Sequence, residues 1–195
     1  MKITVGTQVP VRELTAISGA SVPIPDPGGL VHLQFRRFAG CPVCNVHLRS
    51  FAVRHAELAA AGVREVAVFH APADELRPYV ADLPFELVAD PDKRLYAEFG
   101  VESVPRALLD PRAWPTIVRG VLVAAWGIAR HGRPVPPGKP HGGRLGLPAD
   151  FLVGGDGRIL AAKYGEHAAD HWSVDDLLAL AGNAHSQRGV EGLQR

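Results

Sequence analysis

Cys41 and Cys44 are the only cysteines in a chain of 195 residues, and only Pro42 and Val43 separate them in FAGCPVCNVHL (38–48). A thiolate attacks a disulfide sulfur or a peroxide oxygen, giving a mixed disulfide or a sulfenic acid, and a second nearby thiol resolves either product. Pro42 suits the first position of a helix, where its missing N–H needs no partner. The helix start then favours a thiolate at Cys41. On these grounds Cys41 is expected to be the exposed, low-pKa nucleophile and Cys44, one turn further in, the shielded resolving thiol. Two other chemistries compete. Cys41, Cys44 and His47 have C-x2-C-x2-H spacing, but a closed zinc site needs a fourth ligand and no second tight Cys/His pair appears. Haem attachment requires His directly after the second Cys, where Asn45 stands. The remaining alternative is a pair of inert core cysteines.

The surrounding elements must place these thiols at a strand–helix junction. LVHLQF (30–35) reads as a buried strand, preceded by the short edge segments ITV (3–5) and SVPI (21–24). A helix follows Cys41, with Cys44, Leu48, Phe51 and Leu58 on one face and Gly62 as its stop. VREVAVFH (63–70) and FELVA (85–89) are further strands, separated by a helix at 73–81 that contains Pro78. Asp90 caps a helix starting at Pro91 and ended by Gly100. A helix at 112–130, broken at Gly120, contains GVLVAAWGIA (120–129), too short to span a bilayer and expected to be buried. The Pro/Gly-rich loop 131–148 carries Arg133, Lys139 and Arg144 and is placed to cover the site, to dock a partner, or simply to be a tolerated insertion. An Asp-Gly turn makes 150–165 a β-hairpin, and Ser173 with Asp176 opens a last helix closed by Gly182. The order implies an α/β fold: a parallel sheet with crossover helices and antiparallel edge strands. One domain is expected over 1–182, with an insertion at about 106–147 and a flexible tail at 183–195.

Lys and Arg number 21 against 20 Asp and Glu, so no excess charge draws the chain to nucleic acid or acidic lipid; neither nucleic acid nor membrane is expected as a partner. The apolar fraction of 47% excludes global disorder. The start, MKITVGTQVP, lacks an apolar signal core, which predicts a cytoplasmic protein.

Over about residues 5–182 the sequence resembles the thioredoxin-fold redox proteins, most closely their peroxiredoxin-like branch of the alkyl hydroperoxide reductase/thiol-specific antioxidant type. Four segments carry the resemblance: VGTQVP with SVPI, VHLQFRRFAGCPVCNVHLRSF (31–51), LVADPDKRLYAEFGV (87–101) and LPADFLVGGDGRILAAKYG (147–165). It implies a mixed central sheet flanked by helices and a thiol-dependent oxidoreductase reducing disulfides or hydroperoxides. An external thiol of thioredoxin or low-molecular-weight type would regenerate it, with no metal or organic cofactor, and the resemblance allows a homodimer. The sequence departs from the branch in two places. In the motif P-x-x-x-T-x-x-C, counting back from Cys44 puts Cys41 at Thr and Arg37 at Pro; counting from Cys41 puts Phe38 and Gln34 there. Pro148 stands where the branch has a peroxide-binding arginine before Phe151. It resembles instead the cis-proline of thioredoxins, which predicts a cis Leu147–Pro148 bond against Cys41, with Leu147, Pro148 and Arg37 positioning substrate. These departures favour a dithiol–disulfide oxidoreductase. A dedicated peroxidase, a non-enzymatic redox sensor or binding module using 131–148, and a zinc-stabilised domain are the alternatives.

Three further features need a structural answer. Arg36 and Arg37 are either thiolate-stabilising groups or exposed charges at a strand end. His167 and His171, with Glu166 and Asp170, are a metal-type pair only if helical. His70 ends a strand at the sheet edge where α/β proteins place functional groups.

Overall fold

The computed structural model describes residues 2–80, 82–102 and 110–193. The first strands are β1 (Arg12–Thr15), β2 (Ser21–Ile24) and β3 (Leu30–Arg36). There follow α1 (Pro42–Val53), α2 (His55–Ala60), β4 (Val63–Phe69), α3 (Ala73–Val80), β5 (Glu86–Ala89) and α4 (Arg94–Glu98). A 3-10 turn at Pro111–Ala113 leads into α5 (Trp114–His131), and β6 (Ala149–Val153), β7 (Ile159–Tyr164) and α6 (Val174–Leu193) complete the chain. The main sheet has the order β5-β4-β3-β6-β7. β3, β4 and β5 are parallel, as the crossover helices α1–α2 and α3 require, while β6 and β7 are the antiparallel hairpin. This is the thioredoxin-like fold of peroxiredoxin type, with a helix and loop added before the hairpin.

β3 is buried on both faces, and its alternation decides what each face holds. Val31, Leu33 and Phe35 enter an aromatic core with Ile24, Tyr96, Phe99 and Phe151, beneath β1, β2 and α4. Leu30 faces the other core, built from Leu48, Phe51, Leu58, Leu76 and Leu177 of the helices. His32, Gln34 and Arg36 alternate with the apolar set and are buried too. Register supplies their partners: β4 sets Glu65 opposite His32, and β6 sets Asp150 opposite Gln34.

Several local expectations change. ITV forms no strand; instead Gly6 N–H donates to Ile159 O and Ile159 N–H to Thr7 O, so the N-terminus pairs with β7. The helix after Cys41 breaks at Arg54 into α1 and α2. The helix after Asp90 starts later than Pro91; Asp90 accepts from Arg94 N–H (3.0 Å) and Leu95 N–H (2.8 Å) and so caps α4. Gly120 does not break α5, and Gly182 does not stop α6, since neither takes the left-handed backbone that ends helices at Gly62 and Gly132. The helix therefore runs on past Gly182 as far as Leu193. α5 is not buried: within it only Gly120 and Gly127 are, and the apolar residues of its outer side face solvent. The expected start of the insertion at 106 lies outside the described residues. The Ser173–Asp176 capping box forms as expected, with Asp176 N–H donating to Ser173 Oγ at 3.1 Å and Ser173 N–H to Asp176 Oδ2 at 2.9 Å.

Candidate active site

The chain leaves β3 at Arg36, turns through Phe38–Gly40 and enters α1. Gly40 sits at φ +73 with the Tyr79 ring against it; a Cβ there would fall 2.8 Å from a ring carbon, so both the backbone and the space demand glycine. Cys41 caps α1, with Pro42 next, as the sequence implies. Its Sγ accepts the Cys44 N–H at 3.4 Å, the role an N-cap hydroxyl usually plays. α5 then crosses this first turn so tightly that a Cβ on Gly120 would lie 3.2 Å from Pro42 and from Val43 N. Between α1 and α5 runs a groove of about 1100 Å³, with Pro42, Val43 and Ala124 among its walls.

Both thiols are free and both are buried, Cys41 at 2% and Cys44 at 5% exposure. This corrects the expectation of an exposed Cys41: the overlying α5 closes that side, and the Cys41 sulfur is turned onto its own helix. The electrostatics also reverse the expected order. Burial raises the Cys41 thiol, and the hydrogen bond and charge of Cys44 raise it further; its pKa lies well above the ordinary thiol value. Burial acts on Cys44 in the same direction, but hydrogen bonding from Cys41, the Arg37 guanidinium, the Arg37 N–H and the Arg36 guanidinium outweigh it and push Cys44 down to about 6. Of the two, Cys44 is thus the more acidic thiol. Arg37 acts on both, whereas Arg36 and the Arg37 N–H act on Cys44, which decides in favour of a Cys44 thiolate.

Arg36 and Arg37 are therefore not exposed charges at a strand end. Arg37 is 3% exposed; its Nη2 donates to Arg144 O at 2.8 Å, and its buried Nε has no partner. Arg36 pairs with Asp150 Oδ1 at 2.6 Å and donates to His47 Nε2 at 2.9 Å. Behind it, His32 places Nδ1 2.8 Å from Glu65 and Nε2 3.3 Å from Asp150. Burial alone would lower the His32 pKa, but the Glu65 and Asp150 carboxylates raise it to about 9, making it an imidazolium that donates from both nitrogens. Gln34 bridges Arg36 and Glu65. Two cations and two anions thus balance beneath the thiol loop. Tyr96 closes the other side, its single hydroxyl hydrogen placed between Val68 O, 2.9 Å away, and Arg36 O.

The remaining candidates fall outside this cluster or change role. Leu147–Pro148 is trans; the cis X-Pro bond among the described residues is Ile24–Pro25. Leu147 N–H donates to Glu102 O at 3.0 Å and Pro148 O accepts from Gly165 N–H at 2.9 Å, so both of these groups are taken by the chain's own neighbours. His167 and His171 are in a loop, not a helix. His171 stacks on His47 at 3.6 Å between ring centroids, and His47 Nε2 accepts from Arg36 at 2.9 Å. Among the described residues no group of three or more His, Cys, Asp and Glu side chains is placed to hold a metal ion. His70 is buried beside Tyr96, with Nδ1 3.2 Å from His141 O. Sequence reasoning missed Asp150, Glu65, Gln34, His32 and Tyr96. The one local signal was the polar alternation His32, Gln34, Arg36 within an otherwise apolar strand.

These groups fix an acid limb of stability. Burial, then the Arg36 guanidinium, holds His171 down to about 4 and His47 well below the usual range; burial, then Lys93, holds His70 down to about 4. Between pH 6.5 and 4 the unfolded chain binds protons that the folded one refuses, so stability must fall as the pH drops. The depressed Cys44 and Asp150 act in the same direction. Chemical denaturation is expected to show a loss on the order of 5 kcal/mol across that interval. From pH 6.5 to 8.5 the curve should be flatter, because the raised His32 loses stabilisation while the depressed Cys44 gains it. A stability that stays level down to pH 4.5 would contradict these burials.

Comparison with known proteins gives the family. The AhpC/TSA antioxidant enzyme family model matches residues 50–167, beginning after both cysteines and running through α5 and the hairpin. Among curated protein sequences none matches this chain. Solved structures share the fold at low identity. The peroxidoxin BcpB of Mycobacterium tuberculosis is 18% identical, with 92% of this chain and 96% of that one covered and a TM-score of 0.63. A cysteine-to-serine mutant of peroxiredoxin 6 of Arenicola marina is 15% identical, with 94% and 74% covered and a TM-score of 0.66. The reduced 2-Cys peroxiredoxin of Plasmodium vivax is 14% identical, with 95% and 84% covered and a TM-score of 0.64. With a thiol pair set in this fold and more than half its length matched, the chain belongs to the AhpC/TSA antioxidant enzyme family and is a thiol-based oxidoreductase.

Proposed function

We propose that the protein is a peroxiredoxin-type hydroperoxide reductase in which Cys44 attacks and Cys41 resolves. What supports this reading is the pair of buried guanidinium groups: Arg37 and Arg36 both lower the Cys44 thiol, while burial and the neighbouring Cys44 hold the Cys41 thiol up. It also selects the register in which Cys41 takes the Thr position and Arg37 the Pro position of P-x-x-x-T-x-x-C. The roles of the two thiols are thereby exchanged relative to the expectation from the helix end alone.

The Cys44 thiolate attacks the distal oxygen of the hydroperoxide; an S–O bond forms and the O–O bond breaks. Arg37, with its buried Nε unpartnered, supplies a donor toward the oxygens, in the role that Pro148 cannot fill. The departing alkoxide takes the proton from the Cys41 thiol and leaves as an alcohol, or as water when the substrate is hydrogen peroxide. Cys41, now a thiolate, attacks the sulfur of the Cys44 sulfenic acid; the disulfide forms and hydroxide leaves. An external thiol then restores the pair by exchange.

A small peroxide fits the burial of both sulfurs better than a protein disulfide does, and the Leu147 N–H that a partner chain would use is already given to Glu102 O. The test compares the two substrates under one regenerating thiol system. Hydrogen peroxide or a small alkyl hydroperoxide should be reduced at least about tenfold faster than a model protein disulfide. Faster disulfide reduction would restore the dithiol oxidoreductase reading.

A further inference from the structure

α5 is largely apolar, and its two glycines pack on the fold while much of its apolar surface is exposed. Gly120 and Gly127 are buried against the fold, with Ile117, Ala124 and Ile128 half-buried. Val118 (58% exposed), Val121, Leu122 (64%) and Ala125 face solvent in a stripe, with Trp114 exposed toward one end and Trp126, exposed but edge-on to His131, at its border with the groove. Eight of the eleven large apolar side chains exposed among the described residues lie between Trp114 and Leu145. A helix with this pattern lies in an interface.

Charge says which interface. From Pro111 to Leu147 the chain carries Arg112, Arg119, Arg130, Arg133, Lys139 and Arg144 and no acidic residue, leaving 15 Lys and Arg against 20 Asp and Glu elsewhere. The near-neutral total hides this segregation. Arg112 is taken by Asp110 and Glu166. Arg133 acts on the Asp82 carboxylate, while Arg119, Arg130 and Lys139 are exposed. Arg119 and Arg130, eleven positions apart, are about three turns apart and so share one edge of the apolar stripe. Tryptophans flanking aliphatic residues with guanidinium groups along the edge match the headgroup boundary of a bilayer. A second copy fits less well: one helix about 27 Å long covers roughly half of the ~800 Å² per partner of a stable interface, and two such basic segments repel.

We propose that the outer face of α5 docks on an anionic lipid surface, lying in the interface plane without crossing it. No helix among the described residues is long and apolar enough to cross a membrane. Because α5 also packs over Pro42 and Val43, docking sets the thiol loop about one helix diameter from the headgroups. The proposal does not depend on which thiol attacks or on the oxidant.

The test is co-sedimentation of the full chain with vesicles of phosphatidylcholine alone or with about one-third phosphatidylglycerol, followed by tryptophan emission. Trp172 is 9% exposed, so a blue shift reports Trp114 and Trp126. Partitioning onto the anionic vesicles is expected to be on the order of tenfold stronger and to weaken with added salt. Val118→Glu with Leu122→Glu should abolish it while leaving hydroperoxide turnover in solution and the melting profile unchanged. No binding to anionic vesicles, equal binding to neutral ones, or undiminished binding by the double variant would overturn the proposal. So would a wild-type dimer that the double variant dissolves in the absence of vesicle binding, which would identify a second copy as the occupant.

Discussion

Cys44→Ser is expected to stop hydroperoxide consumption, lowering the rate by about a thousandfold or more, since serine at neutral pH is not a comparable nucleophile. Cys41→Ser is expected to behave differently. It keeps the attacking thiolate with its Arg37 and Arg36 neighbours, so one equivalent of peroxide should still react and leave a sulfenic acid at Cys44. Loss of the Cys41 thiol proton should slow that first step by on the order of a hundredfold at most, and turnover through the intramolecular disulfide should cease. Peroxide consumption and intact mass after a single addition separate these outcomes. A Cys41→Ser protein that is inert while Cys44→Ser traps a sulfenic acid would return the nucleophile to the helix end.

The second large effect is on stability. Asp150→Asn keeps the shape of the side chain but removes the charge that faces both Arg36 and His32. Arg36 is buried and its Nη1 already has no partner. Breaking a buried ionic cluster from one side costs about 3–5 kcal/mol, because the opposite charge stays behind without compensation. At about 2–4 °C per kcal/mol for a chain of this size, the melting temperature is expected to fall by roughly 10 °C. Arg12→Ala is the contrast: its pair with Glu98 is partly exposed, and losing it should cost less than about 1 kcal/mol. A melting profile for Asp150→Asn within a degree or two of wild type would mean that the cluster is wetter or less charged than the geometry indicates.

What the sequence disclosed and what it withheld divide along the range of the interactions. β3, β4, β5, the hairpin and the capping box at Ser173 rest on local patterns, and they appear where alternation, the Asp-Gly turn and the Ser-x-x-Asp spacing put them. The polar network does not rest on local pattern. His32 meets Glu65 across 33 positions and Asp150 across 118, and only sheet register brings them together. The surroundings of the thiols follow the same rule: the field at a helix start was legible, but the inward turn of Arg36 and Arg37 was not. β1 at Arg12–Thr15 was missed because RELT has little β character and is held by its pairing with β2. α5 was misjudged because an apolar run implies burial only if the fold supplies a cover, and here it covers one side.

Pulse alkylation of the reduced wild-type protein across pH, with the label located by peptide mass, tests most directly which sulfur carries the thiolate. The account predicts label on Cys44 first, with half-maximal labelling near the value of about 6 to which its neighbours push it, and Cys41 unreactive until far more alkaline pH. Label appearing first on Cys41, or on both thiols together at the ordinary thiol value, would contradict it.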